Sequence, residues 1–595
     1  MASPATTQTV RPLDTLRFDT SGPPQITSVV ADRLRLLGAQ GEPVGQDDSA
    51  TGSIVIAGAG VEPVHATTGW GDPATGLVDE ATVQAATGVM AVHGRRDGGP
   101  RGLAVDYTAT ATAVLTVQGL LATLIGSARG IQPRHVTTGA DRAGLLAVSQ
   151  YLAAAGADEG EAADLAPGGP PFTSAEGTLF ELETLDPGAW AAFWRALEAP
   201  ADAMRAGWRP FQFRYATACA PFPAALHQVT RSHPLDGIRR AAALSGAEVC
   251  ALRTLAERAA ERAAEHDGAA PWSLRPLGPA TKTAVAAASS GGPLAGLTVL
   301  EAGRRIQAPL AAHLLGLLGA EVIRIEPPGG DPLRGMPPAC SGISARWLAL
   351  NRGKKAVEID IKAGADRRRL RDMAADADVF LHNWAPGKAA ELGLDAEDLA
   401  AVNPGLVYAY TSGWADRLPD APMGTDFMVQ ARTGVGEAVR PEGEPPAPSL
   451  MTLLDVLGGL TGAEAVLAGL LLRERTGHGV RVDSSLLGAA DTLTAPALRR
   501  AARGENPRQP AGFRHPLPTA DGRVAPADAC ASAAAAYDLR ELATPDALSL
   551  LRDHGLSATA VTTDLADLHH DARFAGAITR DAHGAPAVPD PWSFR

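Results

Sequence analysis

Cysteine is scarce in this chain. Four stand in 595 residues, at Cys219, Cys250, Cys340 and Cys530, with no CxxC pair and no His/Cys cluster. That spacing excludes a dense disulfide framework and argues against a zinc site, so no metal is expected and a reducing cytoplasm is the expected compartment. The N-terminus, MASPATTQTVRPLDTL, lacks a basic stretch followed by an apolar run, and no signal peptide is expected. Apolar stretches such as LTGAEAVLAGLLL reach only 13 residues. A membrane-spanning helix needs about 20, so no membrane partner is expected. Positive charge is also short: 53 Lys and Arg face 66 Asp and Glu, for a formal net charge of -13. This argues against a nucleic-acid partner but leaves room for a local basic pocket. There is no Walker A, HExxH or GxSxG motif, and GAGVEP is too short for a dinucleotide fingerprint. The His569-His570 pair reads as surface.

What is present is a duplication. VDEATVQAATGV (78–89) and GTDFMVQARTGV (424–435) share V-Q-A-x-T-G-V, with Glu80 opposite Asp426. The pairing extends in order along the chain. VVADRLRLLGAQ answers PLAAHLLGLLGAE, and VHATTGWGDP answers YAYTSGWADR. AVDYTATATAVLTVQGLLATLIGSARG answers SLMTLLDVLGGLTGAEAVLAGLLLRERTG, each a long apolar helix closed by a glycine. GIRRAAALSGAEVC answers ALSLLRDHGLSATA, and both copies close on PWS. The Ala/Ser/Gly/Pro-rich stretch at 278–295 reads as a linker. The expected organisation is a first copy over 1–277, the linker, and a second copy over 296–595. The first copy has only about 30 residues between LLGAQ and TTGW where the second has about 90, so it is expected to lack most of the nucleotide-binding half.

In the second copy LTVLEA, EVIRIE, AVEIDIK, DVFLHNW and GLVYAYTSG read as strands with helices between them. That pattern predicts an α/β fold with a Rossmann-like open parallel sheet. Ligands bind at the C-terminal strand ends of such sheets. Here those ends carry Gln307, the EPPGGDPLR loop, HNWAPG and TSGW.

Residues 296–490, with LLGAEVIRIEPPGGDPLR, LNRGKKAVEIDIK, VFLHNWAPGKAAELGLD, GTDFMVQARTG and LLLRERTGHGVRVDSSLLGA, resemble the family III CoA-transferases (CaiB/BaiF family). The resemblance implies a Rossmann-like large domain plus a small α+β domain, interlocked as a pair. In a fused tandem this gives an intrachain pseudo-dimer, with a monomer or a homodimer as the assembly. It implies transfer of CoA between carboxylic acids through an aspartyl-linked covalent intermediate, with acyl-CoA and carboxylic acids as partners. Coenzyme A is then a substrate, and no tightly bound cofactor is expected. Asp426 takes the nucleophile's position, although an acid there also suits a helix cap. Gly424 and the TSGW loop are placed to stabilise the oxyanion. Gln307 lies near the thioester, Arg334, Arg352, Lys354 and Lys355 meet the phosphates, and Asn383 and Trp384 pack on CoA. Glu80 is expected to be a relic or an interface residue.

This chain departs from the family pattern at several places. Ala385 and Pro327 stand where arginines are usual, Glu391 replaces another, and Ala308-Pro309 shortens the first loop. Alternatives to CoA transfer are an acyl-CoA racemase or isomerase, acyl transfer from a non-CoA thioester carrier, and an inactive scaffold.

Overall fold

The computed structural model describes residues 10–42, 49–131, 134–163, 165–264, 270–279, 291–419 and 421–595. The expected linker lies mostly outside these residues.

The first half opens with strand β1 (Arg17–Ser21), helix α1 (Pro24–Leu36) and strand β2 (Gln40–Gly41), a short parallel unit. Strands β3 (Thr51–Gly58) and β4 (Val61–Gly69) follow as an antiparallel hairpin. Helices α2 (Glu80–Ala86) and α3 (Tyr107–Ala128) then lead to strand β5 (His135–Thr137). A small unit comes next, with strands β6 (Phe172–Thr173) and β7 (Leu179–Glu183), helix α4 (Ala201–Thr217) and strand β8 (Glu248–Ala251). Strand β9 (Trp272–Pro279) ends this half.

The second half runs through β10 (Thr298–Ala302), α5 (Gln307–Leu317), β11 (Glu321–Glu326), β12 (Lys355–Glu358), β13 (Val379–His382) and β14 (Val407–Ser412). Helices α6 (Asp426–Arg432) and α7 (Leu453–Thr476) precede β15 (His478–Ser485). A second, smaller unit holds β16 (Leu517–Pro518), β17 (Arg523–Pro526) and β18 (Ala558–Ala560), and β19 (Ser593–Phe594) closes the chain.

The second-half sheet has the order β12-β11-β10-β13-β14-β15, all parallel. In chain order this is 3-2-1-4-5-6, the doubly wound arrangement, and its switch point falls between β10 and β13. The first-half sheet has the corresponding order β2-β1-β3-β4-β5. It therefore keeps more of a sheet than the missing 60 residues suggest. The strand in the β13 position, β3, runs antiparallel because only Ala59 and Gly60 join it to β4. A parallel crossover needs a dozen residues or more, whereas a hairpin needs two. Gly60, at φ +77°, supplies the left-handed turn.

Each sheet is completed by the other half. β9 adds antiparallel to β15, and β19 adds antiparallel to β5. The paired PWS sequences do this work. The Trp272 indole donates to Glu464 on α7 (3.1 Å), and the Trp592 indole donates to the Leu115 carbonyl on α3 (2.8 Å).

Helices α3 and α7 pack on one another at the centre, and one apolar cluster runs through both halves. Gln118 donates to the Leu460 carbonyl (2.7 Å), Tyr107 donates to the Leu453 carbonyl (3.1 Å), and Arg33 pairs with Glu464 in the interior. At 22 and 24 residues both helices are long and apolar enough to cross a bilayer, which the 13-residue runs did not suggest. Their apolar windows are 100% and 94% buried inside the protein.

Candidate active site

The repeated V-Q-A-x-T-G-V is a piece of scaffold. Gln84 Oε1 accepts from the Leu103 N–H (2.8 Å), and Gln430 Oε1 accepts from the Ser449 N–H (2.8 Å). Each glutamine thus pins the segment that leads into a central helix. Thr87 and Thr433 bond back to the Val83 and Val429 carbonyls, at 2.8 and 2.7 Å. Gly88 and Gly434 then turn the chain at φ +85° and +78°.

The paired acids belong to the same scaffold. Glu80 accepts from the N–H groups of Thr108 (2.7 Å) and Ala109 (2.8 Å), from the Thr108 hydroxyl and from Gln84. Asp426 accepts from the Asp455 N–H (2.7 Å) and from Gln430, and the Leu454 N–H also points to it. Both carboxylates therefore cap the first turn of a central helix, α3 or α7, where N–H groups lack partners and the dipole favours negative charge. Asp426 is not the cap of its own helix, since Thr425 holds that place without a side-chain bond.

The halves differ at the next residue. Where the first half has Ala109, the second has Asp455. Asp426 is 3% exposed, whereas Asp455 is partly open to solvent. Among the described residues the Asp455 carboxylate accepts no hydrogen bond. Burial and the charge of Asp426 push its carboxyl well above the usual range, Arg305 pulls it back and Glu183 pushes it further up. Burial pushes Asp426 up to about 6, against the pull of Gln430, the two N–H groups and Arg214.

The first half supplies the far wall of this site. Thr425 donates to Glu183 (2.8 Å), the Met423 N–H donates to Glu248, and Arg214 pairs with Glu183 (3.0 Å). The Arg214 guanidinium lies 4.7 Å from the Phe427 ring. The mirror-related site is closed. Arg514, from the small unit of the second half, bonds the Leu103 and Val105 carbonyls and pairs with Asp106 (2.7 Å) and Asp528 (2.7 Å) beside Glu80. Burial holds the Glu80 carboxyl up at about 7.

Of the expected site residues, Gln307 and Gly424 lie against the TSGW loop. Gln307 starts α5, is 5% exposed and donates to the Ser412 carbonyl (3.3 Å) in the TSGW loop. A Cβ on Gly458 would lie 3.0 Å from its amide, so Gln307 abuts α7 one turn beyond Asp455. Gly424 packs against Gly413, where an added Cβ would come 2.4 Å from the Gly424 Cα. Asn383 clamps the β10–α5 loop at the switch point, accepting from the Arg304 N–H (2.9 Å) and donating to its carbonyl (3.0 Å). Trp384 packs on His382, with ring centres 4.9 Å apart.

The expected phosphate-binding residues do not form one pocket. Lys354 is a correction. Its amine is buried and donates to Glu301 (2.7 Å), the Pro309 carbonyl (2.8 Å) and Asn351 (2.9 Å), which uses all three N–H bonds. Glu301 is fully buried in β10 and requires a counter-charge there. Arg352 is turned to the Val588 carbonyl (3.2 Å), and Arg334 pairs with Glu326 (2.7 Å) over the Trp347 ring. Lys355 is exposed and pairs with Glu321 (2.8 Å).

Sequence reasoning missed Asp455, Glu183, Arg214 and Arg305. The available signal for Asp455 was a lone acid at the head of a long apolar run, LLDVLGGL. For the first-half residues there was none, because the contact joins positions about 240 apart in sequence.

Among the described residues, no cluster of His, Cys, Asp and Glu could hold a metal ion. The chain is 36% identical over 200 residues to the mouse (Mus musculus) succinyl-CoA:glutarate CoA-transferase, covering 33% of this chain and 46% of that protein. It is 35% identical over 229 residues to the acetyl-CoA:oxalate CoA-transferase of Acetobacter aceti, covering 38% and 59%. The chain thus spans about half the length of the curated relatives it matches. A crystal structure of a CaiB/BaiF family protein from Brucella suis matches with a TM-score of 0.46 at 27% identity, over 50% of this chain and 92% of that one. The family model for CoA-transferase family III matches residues 64–292 and 294–583, two consecutive segments that take in most of the chain. The protein belongs to CoA-transferase family III.

Proposed function

We propose that this chain transfers CoA between carboxylic acids, with Asp455 as the nucleophile and Asp426 as the carboxylate that positions it. One observation carries the assignment. The acid at 426 has a counterpart, Glu80, that does the same capping work in a site closed by Arg514. The acid at 455 has no acidic counterpart, accepts no bond among the described residues and is partly exposed.

The steps follow from the chemistry of a carboxylate. An Asp455 oxygen attacks the thioester carbonyl carbon, the C–S bond breaks, and CoA leaves as thiolate. The product is a mixed anhydride between the acyl group and Asp455. The thiolate attacks the Asp455 carbonyl carbon, releases the first carboxylate and leaves an aspartyl-CoA thioester. The acceptor carboxylate then attacks that thioester, and the same two steps in the other direction yield the new acyl-CoA and free Asp455. Asp426 ties down the first turn of α7 and so fixes the Asp455 backbone. Gln307 and the Gly413–Gly424 contact shape the wall opposite it.

The acceptors proposed are short dicarboxylic acids, the class of acceptor named for both relatives described above, and the donors are short acyl-CoA thioesters. The reciprocal exchange of β9 and β19 supports the chain acting as an intrachain pseudo-dimer with one working site. The test is to incubate the purified protein with acetyl-CoA and either glutarate or succinate and to follow acyl-CoA products by mass spectrometry. New acyl-CoA that depends on Asp455 supports the reading. No product with any acid supports an inactive scaffold instead.

A further inference from the structure

Arg305 occupies an unusual position. It sits in the β10–α5 loop, at the C-terminal strand ends beside the switch point. Its φ is +60°, in the left-handed region that residues with a side chain avoid. The loop is held in that shape at both ends, by the Asn383 clamp on Arg304 and by Gln307 wedged against α7. Its side chain is exposed and, among the described residues, makes no ion pair and no hydrogen bond. Its guanidinium lies 5.6 Å from the ring centre of Tyr215, which α4 of the first half contributes.

The charge around it is lopsided. Asp426, Asp455 and Glu183 meet at this junction, and Arg214 is already paired with Glu183. The charge of Arg305 opposes the upward push on the Asp455 carboxyl. A substrate carrying its own carboxylate must approach these acids, and without a local cation it would be repelled. An exposed, unpaired guanidinium offers a planar fork that suits a carboxylate in bidentate contact.

We infer that Arg305 holds the second, non-reacting carboxylate of a dicarboxylic substrate, over the ring of Tyr215, and so makes the site prefer dicarboxylic over monocarboxylic acids. This rests on the transfer reading above and adds to it the residue that sets the substrate class. Asn383 acts through Arg305 as a positioning residue, by fixing the loop. No covalent step is assigned to either residue.

The test compares glutarate with butyrate as acceptors at fixed acetyl-CoA, in the wild type, Arg305→Gln and Arg305→Lys. The wild type should prefer glutarate in kcat/KM. Arg305→Gln should lower the glutarate-to-butyrate ratio at least about tenfold, mainly through KM for glutarate, the expected size of one lost charge-assisted contact. Arg305→Lys should recover part of the ratio, because the charge is kept and only the fork is lost. A wild type without a preference, or a ratio that falls less than tenfold in Arg305→Gln, overturns the inference. Calorimetric titration with glutarate alone separates it from the transfer reading. If no acid accepts CoA but glutarate binds the wild type and not Arg305→Gln, the inference stands while the transfer reading falls. Glutarate binding that is absent, or equal in the two proteins, overturns it.

Discussion

Replacing Asp426 and Asp455 separately by asparagine should uncouple stability from catalysis. The Asp426 carboxylate accepts from the Asp455 N–H at 2.7 Å and from Gln430, at the start of a 24-residue helix. Asparagine keeps one carbonyl oxygen and turns an N–H₂ towards groups that are themselves donors. At least one charge-assisted hydrogen bond is lost, at about 1.5–3 kcal/mol, and the lost charge at the helix N-terminus adds about 0.3–1 kcal/mol. Asp426→Asn should therefore be less stable by about 2–4 kcal/mol, with turnover reduced no more than about tenfold. Asp455 accepts no bond among the described residues and faces a like charge. Asp455→Asn should be at least as stable as the wild type at neutral pH, since it removes a carboxyl whose ionisation burial and Asp426 oppose, but should lose turnover at least about a thousandfold, roughly 4 kcal/mol of barrier. Urea unfolding and initial rates on the same preparations measure both. A stable, inactive Asp426→Asn beside an active Asp455→Asn would refute the assignment.

Further expectations follow from the same geometry. Asp455 must be ionised to attack, and its carboxyl is raised by burial and by Asp426, so the pH–rate profile should have an acid limb above the ordinary carboxylate range. Asp426→Asn should move that limb to lower pH, and an unmoved limb would count against the pairing. Glu80 is held at about 7, above its ordinary 4.5. Its contribution to stability is present below about 4.5 and is lost as pH rises through about 7, so Glu80→Gln should flatten the stability profile over that window by an amount on the order of 3 kcal/mol. Denaturation midpoints with the same pH dependence in both proteins would contradict this. Lys354→Met should destabilise by about 1–3 kcal/mol, because Glu301 loses one of its two buried counter-charges and keeps Arg324, while Lys355→Ala should stay within about 0.5 kcal/mol. Calorimetry with free CoA should then show that any loss of binding in Lys354→Met follows its unfolding. Trp592→Ala should cost about 3–5 kcal/mol, because it empties a buried site on α3 and loosens β19.

The parallel sheet of the second half was legible because LTVLEA, EVIRIE, DVFLHNW and GLVYAYTSG are apolar runs of strand length with helices between them. The duplication was legible too, since Gln84 and Gln430 must meet the same backbone groups in both halves. Other features had no local signature. The reversal of β3 depends on the two-residue join to β4. The exchange of β9 and β19 is made by antiparallel edge pairs, one of them only two residues long, that join distant parts of the chain. Lys354 in NRGKK was expected to meet phosphate because its partner, Glu301, lies 53 positions away. Asp455 carries no motif of its own, and Asp426 was singled out because it takes the nucleophile's position in the family resemblance. The repetition marked scaffold, and the chemistry was assigned to the acid that is not repeated.

Covalent trapping tests the central claim most directly. The protein is incubated with acetyl-CoA, hydroxylamine is added to convert any aspartyl-CoA thioester into a hydroxamate, and the modified peptide is mapped by mass spectrometry. The account predicts the hydroxamate on Asp455, retained in Asp426→Asn and absent in Asp455→Asn. A hydroxamate on Asp426 or on Glu80 would contradict it.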